Sequence, residues 1–388
     1  MITQIMAMRS ASGESRRGAW KKDDGLDAVV DTAFLRAPSL ARHSKSGIRK
    51  DWNPPVHRLC LRDGGRRMSD FQFIELPDMR IRAVVEGEGP LVVMVHGFPE
   101  SWFSWRHQIG PIAGAGFTAC AIDVRGYGGS GKPHPVEAYA MEKMIGDVTG
   151  VIEALSDDGK AILIGHDWGA PIVWNTALVR PDRVRAVAGL SVPYVGPPSR
   201  SFKDVFTHFY TKHGKFFYQH YFQEEGVAER EAEADVRRFL RLFYYALCGD
   251  APDGAWPSDK AVGDTLLHRL IEPDPLPAWL HKDHLAYYAA EFEESGFRGP
   301  LNRYRNHDRD FDYLKQFSDR KIHQPSLFIG GSRDLVLTMF GKTDFLTPMR
   351  EHLTDLRNAD ILEGCGHWTQ QERPEDVNAR LLGWLKSL

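Results

Sequence analysis

A glycine-flanked acid ends the strand-like run Ala161-Ile-Leu-Ile, in the order Gly165-His-Asp167-Trp-Gly169-Ala, and helix-like residues Pro171–Leu178 follow. Strand, G-x-D-x-G, then helix is the spacing of a turn so sharp that flanking side chains would collide with backbone. The central side chain is forced outward at the start of a helix, and the helix N-terminus favours its anionic form. A carboxylate with a reference pKa of about 3.9 is ionised at neutral pH, so Asp167 needs no base before it attacks. It suits displacement at a saturated carbon. The product is an alkyl–enzyme ester, which an activated water then hydrolyses. The plainer alternative is that Asp167 only caps its helix.

Breaking such an ester calls for a base. Of the 16 histidines, His367 lies in Gly364-Cys-Gly366-His367-Trp, directly after the strand-like Ala359–Leu362. Asp334, in Gly330-Gly-Ser-Arg-Asp334, follows the strand-like Ser326–Ile329 and is placed to fix the tautomer and charge of an imidazole. A fortuitous surface acid is the other reading of Asp334. The order Asp167, Asp334, His367 is the nucleophile–acid–base order of α/β-hydrolases. In that fold the loop after the first buried strand, here His96-Gly97-Phe98-Pro99, and the residue after the nucleophile each supply a backbone N–H to an oxyanion hole. Those residues are Phe98 and Trp168. Phe98, Trp102 and Trp168 are also candidates to line an apolar pocket, although Trp102 fits a core position equally well.

The surrounding pattern says what must hold these residues. Phe71–Leu76 and Met79–Glu86 read as strands joined at Pro77-Asp78. Leu91–Val95, Thr118–Ile122 and Ala161–Ile164 are apolar runs of the kind buried on both faces of a sheet, and Val184–Leu190 reads as a further strand. Glu142–Leu155 and Val377–Leu388 have helical periodicity. Strands alternating with helices predict a mostly parallel eight-stranded sheet covered on both faces, with one antiparallel strand near its start. Residues 195–315 break the rhythm with aromatic-rich helical patterns at Phe202–Phe222, Ala228–Leu247 and Lys282–Ser295. They predict an all-helical cap inserted after the sixth strand, over the carboxyl edge where open sheets of this kind bind ligands. The core is then 68–194 with 316–388.

Residues 1–67 differ in composition, with 14 Lys/Arg against 7 Asp/Glu, whereas the rest carries 35 against 45. A basic extension, a targeting sequence, or a stretch ahead of the native start at Met68 all fit, and no catalytic role is assigned to it. A net charge of −3 gives no reason to expect nucleic acid as a partner. No apolar run is long enough to span a membrane. The four cysteines show neither metal-ligand nor disulfide-scaffold spacing, which favours a reducing compartment, the cytoplasm. Neither metal nor cofactor is expected.

From Met68 onward the motifs resemble the cap-bearing epoxide hydrolases of the α/β-hydrolase superfamily. The resemblance rests on His96-Gly-Phe-Pro-Glu-Ser-Trp102, Asp123-Val-Arg-Gly-Tyr-Gly-Gly-Ser130, Gly165-His-Asp-Trp-Gly-Ala170 and Gly366-His-Trp-Thr-Gln370. In the cap it rests on the segment from Tyr218 to Glu229 and on Tyr304-Arg-Asn306. The resemblance implies that Asp167 opens an apolar epoxide to a vicinal diol, while Tyr218 and Tyr304 hydrogen-bond the ring oxygen and protonate it. Tyr221 stands as the substitute for Tyr218. A phenol of pKa about 10 stays neutral until an alkoxide develops, which suits it to this donation. Haloalkane dehalogenases share the same acid and base and also place a Trp after the nucleophile. Against them stand the paired tyrosines and the apolar Phe98, where a second halide donor is often found. A catalytically silent ligand-binding protein on this scaffold is the remaining alternative. Either a monomer or a homodimer is compatible with the sequence.

Overall fold

The computed structural model describes residues 71–339 and 344–388; the extension expected at 1–67 lies outside the described residues. Eight strands form one sheet in the order β1-β2-β4-β3-β5-β6-β7-β8. They are β1 (Gln72–Glu75), β2 (Arg80–Glu86), β3 (Leu91–Val95), β4 (Thr118–Ile122), β5 (Ala161–His166), β6 (Val184–Leu190), β7 (Ser326–Gly331) and β8 (Leu356–Leu362). β2 runs antiparallel to both its neighbours, β1 and β4. All the remaining pairs are parallel. Every residue of β3, β5 and β7 is buried, which explains their apolar or small-residue sequences, broken only by His166 at the end of β5. β8 lies at the edge, and its exposed Arg357 and Asn358 had hidden its first half from a reading based on apolar runs.

Helices cover this sheet. α1 (Arg106–Gly114), α2 (Met141–Leu155) and α3 (Gly169–Val179) belong to the first half of the core. α2 buries Met144, Ile145, Val148, Val151 and Ile152, the stripe that its periodicity predicts.

The chain leaves the sheet after β6 and returns at β7. Between them lie α4 (Phe202–Phe209), α5 (Tyr218–Tyr221), α6 (Val227–Ala234), α7 (Val236–Ala246), α8 (Lys282–Ser295), α9 (Arg298–Tyr304) and α10 (His307–Leu314), with no strand. Two long helical patterns are broken. Gly214 adopts a left-handed φ of 68° and ends the turn after α4, so Phe202–Phe222 is not one helix. Asp235, at φ −155°, caps α7 by accepting from the Arg238 N–H at 2.9 Å, and so separates it from α6. Lys282–Ser295 forms as expected. α9 and α10 carry no simple apolar period because they pack both on the core and on the other inserted helices, with Asn302, Arg303, Asn306 and Asp310 all buried.

Pairing across the sheet centre sets the site. Val95, the last residue of β3, stands opposite Gly165 in β5. The loop that follows β3 and the turn that follows β5 therefore emerge side by side. β7 and β8 pair through Gly331 and Leu362, which brings the loops bearing Asp334 and His367 to the same edge.

Candidate active site

Asp167 sits at φ 48°, a left-handed conformation that a residue with a side chain adopts only when its surroundings force it. Two close backbone approaches do so. A Cβ on Gly165 would overlap the Gly169 carbonyl, and one on Gly169 would overlap the carbonyl of Val95. A third glycine matters from the opposite loop: a Cβ on Gly97 would run into the Asp167 carboxylate itself.

The carboxylate is held from two sides. Its Oδ1 accepts the Phe98 N–H at 2.7 Å, and its Oδ2 lies 3.3 Å from His367 Nε2. On the far side of that imidazole, Nδ1 is within 3.0 and 3.1 Å of the two Asp334 oxygens. His367 is 2% exposed and Asp334 fully buried. Burial alone would pull the His367 pKa down, yet the Asp334 charge and the hydrogen bonds to Asp167 and Asp334 lift it well above 6.5. Burial likewise pushes Asp167 up, but the hydrogen bond and charge of His367, with the Phe98 N–H, bring it below the usual 3.8. At rest the site thus holds an ionised acid against a protonated imidazole.

Two phenols form the roof. Tyr218 and Tyr304 line the same cavity as Asp167 and His367, together with Phe98, Phe243, Leu247, Trp256, Leu335 and Val336. Its free volume is about 20 Å³, room for a water molecule or two. The tyrosine rings stand 6.1 Å apart, and Tyr304 meets Phe98 edge-on at 5.5 Å. Burial, with the nearby Asp167 charge, raises both phenols above their ordinary value of 10, so both enter a reaction protonated.

An acid at the elbow, an imidazole between it and a second acid, and two neutral phenols thus share one cavity, in a chain that is similar to known proteins over most of its length. The α/β-hydrolase fold family model covers residues 90–374. Epoxide hydrolase A of Mycobacterium tuberculosis is 41% identical over 324 residues, which is 82% of this chain and 97% of that protein. A solved epoxide hydrolase from an endophytic Streptomyces superposes with a TM-score of 0.78 at 45% identity, covering 83% of this chain and 96% of that one. The crystal structure of epoxide hydrolase A from Mycobacterium thermoresistibile gives 0.76 at 42% identity, over 81% and 98% of the two chains. This chain belongs to the epoxide hydrolase family.

Within this epoxide hydrolase the remaining candidates fall into different places. Tyr221 points away from the cavity and donates its hydroxyl to Glu231 Oε2 at 2.9 Å. Trp102 is not among the cavity residues. Its ring packs on Phe71, Phe103 and Tyr287, and its indole N–H donates to the Tyr287 hydroxyl at 2.8 Å, so it joins core to cap. Trp168, the N-cap of α3, stands behind Tyr304, which it meets edge-on at 5.2 Å, rather than in the cavity wall. His96 and His166 are structural: His96 Nε2 accepts the Val124 N–H at 3.0 Å. His166 bridges Glu100 and the His367 carbonyl, each at 2.7 Å. The Asp123–Ser130 turn is a scaffold, in which Asp123 accepts the Trp102 N–H at 2.9 Å and Arg125 pairs with Asp147.

The sequence reading missed several residues of the hydrolase site. Leu335 and Val336 directly follow Asp334, and that adjacency was an available signal. Glu372 gave none: it accepts the N–H groups of Gly249, Gly366 and Trp368 at 2.8, 2.8 and 2.9 Å and so fixes the histidine loop.

Proposed function

We propose that this hydrolase opens an apolar epoxide in two steps, with Asp167 as nucleophile, His367 and Asp334 as base and its orienting acid, and Tyr218 and Tyr304 as proton donors. Residues 195–315 act as the cap that carries the donors. The observation that carries this reading is the single cavity into which Asp167, His367 and both phenols all face. The cytoplasmic location read from cysteine usage belongs to the same proposal.

In the first step an Asp167 oxygen bonds to an epoxide carbon, and the C–O bond of the ring breaks with its electron pair going to oxygen. A tyrosine hydroxyl supplies the proton, so the oxygen leaves as an alcohol rather than an alkoxide. Asp167 is now a neutral ester. His367 has lost one of the two charges that held its own proton, so that proton passes to the phenolate left on the tyrosine, and the neutral imidazole becomes a base. In the second step it takes a proton from water, whose oxygen attacks the Asp167 carboxyl carbon. The Phe98 N–H, already on Oδ1, is the donor that stabilises the tetrahedral oxyanion, and the Trp168 N–H completes the hole. Collapse breaks the bond from that carbon to the substrate oxygen, which leaves as the second alcohol with the proton of the new carboxyl group, so that diol, ionised Asp167 and protonated His367 result.

One experiment tests the route. A single turnover in heavy-oxygen water, followed by digestion and mass spectrometry, should leave the label in the peptide that contains Asp167. Label confined to the diol would rule the ester out.

A further inference from the structure

Arg303 is an arginine buried to 2% exposure in the α9 helix, immediately before Tyr304. A guanidinium so placed is costly unless its charge has a use and a partner. Its partners are a carboxylate and a carbonyl: Arg303 pairs with Asp310 of α10 and donates to the Tyr139 main-chain oxygen. Its face carries a third contact, with the guanidinium carbon 4.8 Å from the centre of the Trp168 ring. That ring in turn forms a T-shaped pair with Tyr304, the two centres 5.2 Å apart. Asp310, Arg303, Trp168 and Tyr304 thus form a run of neighbouring contacts.

Asp310 does not simply cancel the arginine. Its Oδ1 accepts the N–H of Met141 at 2.7 Å, the first residue of the 15-residue helix α2, whose own N-cap, Ala140, makes no side-chain cap. Part of the carboxylate charge is thus taken up by a helix N-terminus. The array leaves its positive end facing the tyrosine.

That placement matters at one moment of the reaction. Before attack the negative charge of the site is on Asp167, beside His367. When the Asp167–carbon bond forms and the ring C–O bond breaks, the charge crosses to the roof. The proton on Tyr304 passes to the former ring oxygen, and the phenol is left as phenolate until His367 returns a proton to it. We propose that Arg303 is a positioning residue for ring opening, standing behind Trp168 to stabilise the negative charge that Tyr304 acquires as it gives up its proton. This rests on Tyr304 being a proton donor.

Single-turnover kinetics with styrene oxide, resolving ester formation from ester hydrolysis, test it. Arg303→Met should slow ester formation about tenfold, the size expected for a cation acting across one ring at an effective dielectric of about 20. Ester hydrolysis should be unchanged, and Arg303→Lys should restore most of the loss. Asp310→Asn, which keeps the cap on α2 and removes the opposing charge, should not slow ester formation. In a Tyr304→Phe background Arg303→Met should cost nothing further. The proposal is overturned if Arg303→Met slows both steps alike, if Asp310→Asn is as damaging, or if the two losses in the double variant multiply. Should Arg303→Met fail to fold, Asp310→Asn decides: slower ester formation overturns the idea, and an unchanged or faster rate supports it. Tyr304→Phe alone tells the two readings apart, because full-speed ester formation there removes the donor role itself.

Discussion

His367 presents Nε2 to Asp167 at 3.3 Å and Nδ1 to both oxygens of Asp334 at 3.0 and 3.1 Å, so one imidazole is flanked by two acids, one of them fully buried. Removing the first charge should therefore lower its pKa. In Asp167→Asn the imidazole, followed by NMR, should titrate clearly lower than in the parent, and an unchanged value would break the proposed link between ester formation and base activation. Stability follows the same pair. His367, raised in the folded chain, contributes stability that is whole below about 6.5 and is lost as pH rises through its folded value. Asp167, depressed, contributes above about 3.8 and loses that as pH falls through its folded value. The melting difference between parent and Asp167→Asn should be greatest between those limits and narrow beyond either side.

His367→Gln keeps a polar side chain at the same place but cannot take a proton from water. Ester should form and persist. Intact-protein mass spectrometry after mixing with an epoxide should show the gain of one substrate mass, with steady-state turnover down about a thousandfold. A folded variant that never gains mass would remove the ester from the pathway.

The roof tyrosines should separate cleanly from their neighbour. Tyr304→Phe and Tyr218→Phe should each slow ester formation by about ten- to a hundredfold, since one of two proton donors remains. Tyr221→Phe loses only the bond to Glu231 and should stay within about twofold. Rapid-mixing measurement of ester formation decides, and a Tyr221 effect as large as that of Tyr218 would reverse the assignment.

Trp102→Phe tests the packing role. It keeps a ring among Phe71, Phe103 and Tyr287 but deletes the N–H that the Tyr287 hydroxyl accepts. A loss of about 1 kcal/mol in denaturant unfolding is expected, with KM unchanged. A raised KM with unchanged stability would put the indole back in the substrate's path.

What the sequence disclosed, and what it hid, have physical reasons. The elbow was legible because Gly165 and Gly169 are enforced by backbone contact and no other residue fits. β3 and β4 were legible to the residue, because burial on both faces permits only apolar or small side chains there. Arg303 was invisible: an arginine in a polar helix reads as solvated, and only the packing of α9 between cap and core buries it. Trp102 and Trp168 were ambiguous for the opposite reason, since a large apolar ring suits a core as well as a cavity. Tyr218 and Tyr221 sit three residues apart on one short turn, and only the position of Glu231 tells which hydroxyl is already engaged elsewhere.

The carboxylate of Glu372 has a wider consequence. Its oxygens take one N–H from the cap at Gly249 and two from the loop that holds the base, while the His367 N–H is bonded to the Leu247 carbonyl. The lid and the catalytic loop are thus riveted at a shared point. If the lid were to lift at this rivet it would drag the imidazole with it, and the chemistry would stall until the parts came together again. A guest that enters without lifting the lid at this point leaves the base where the reaction needs it.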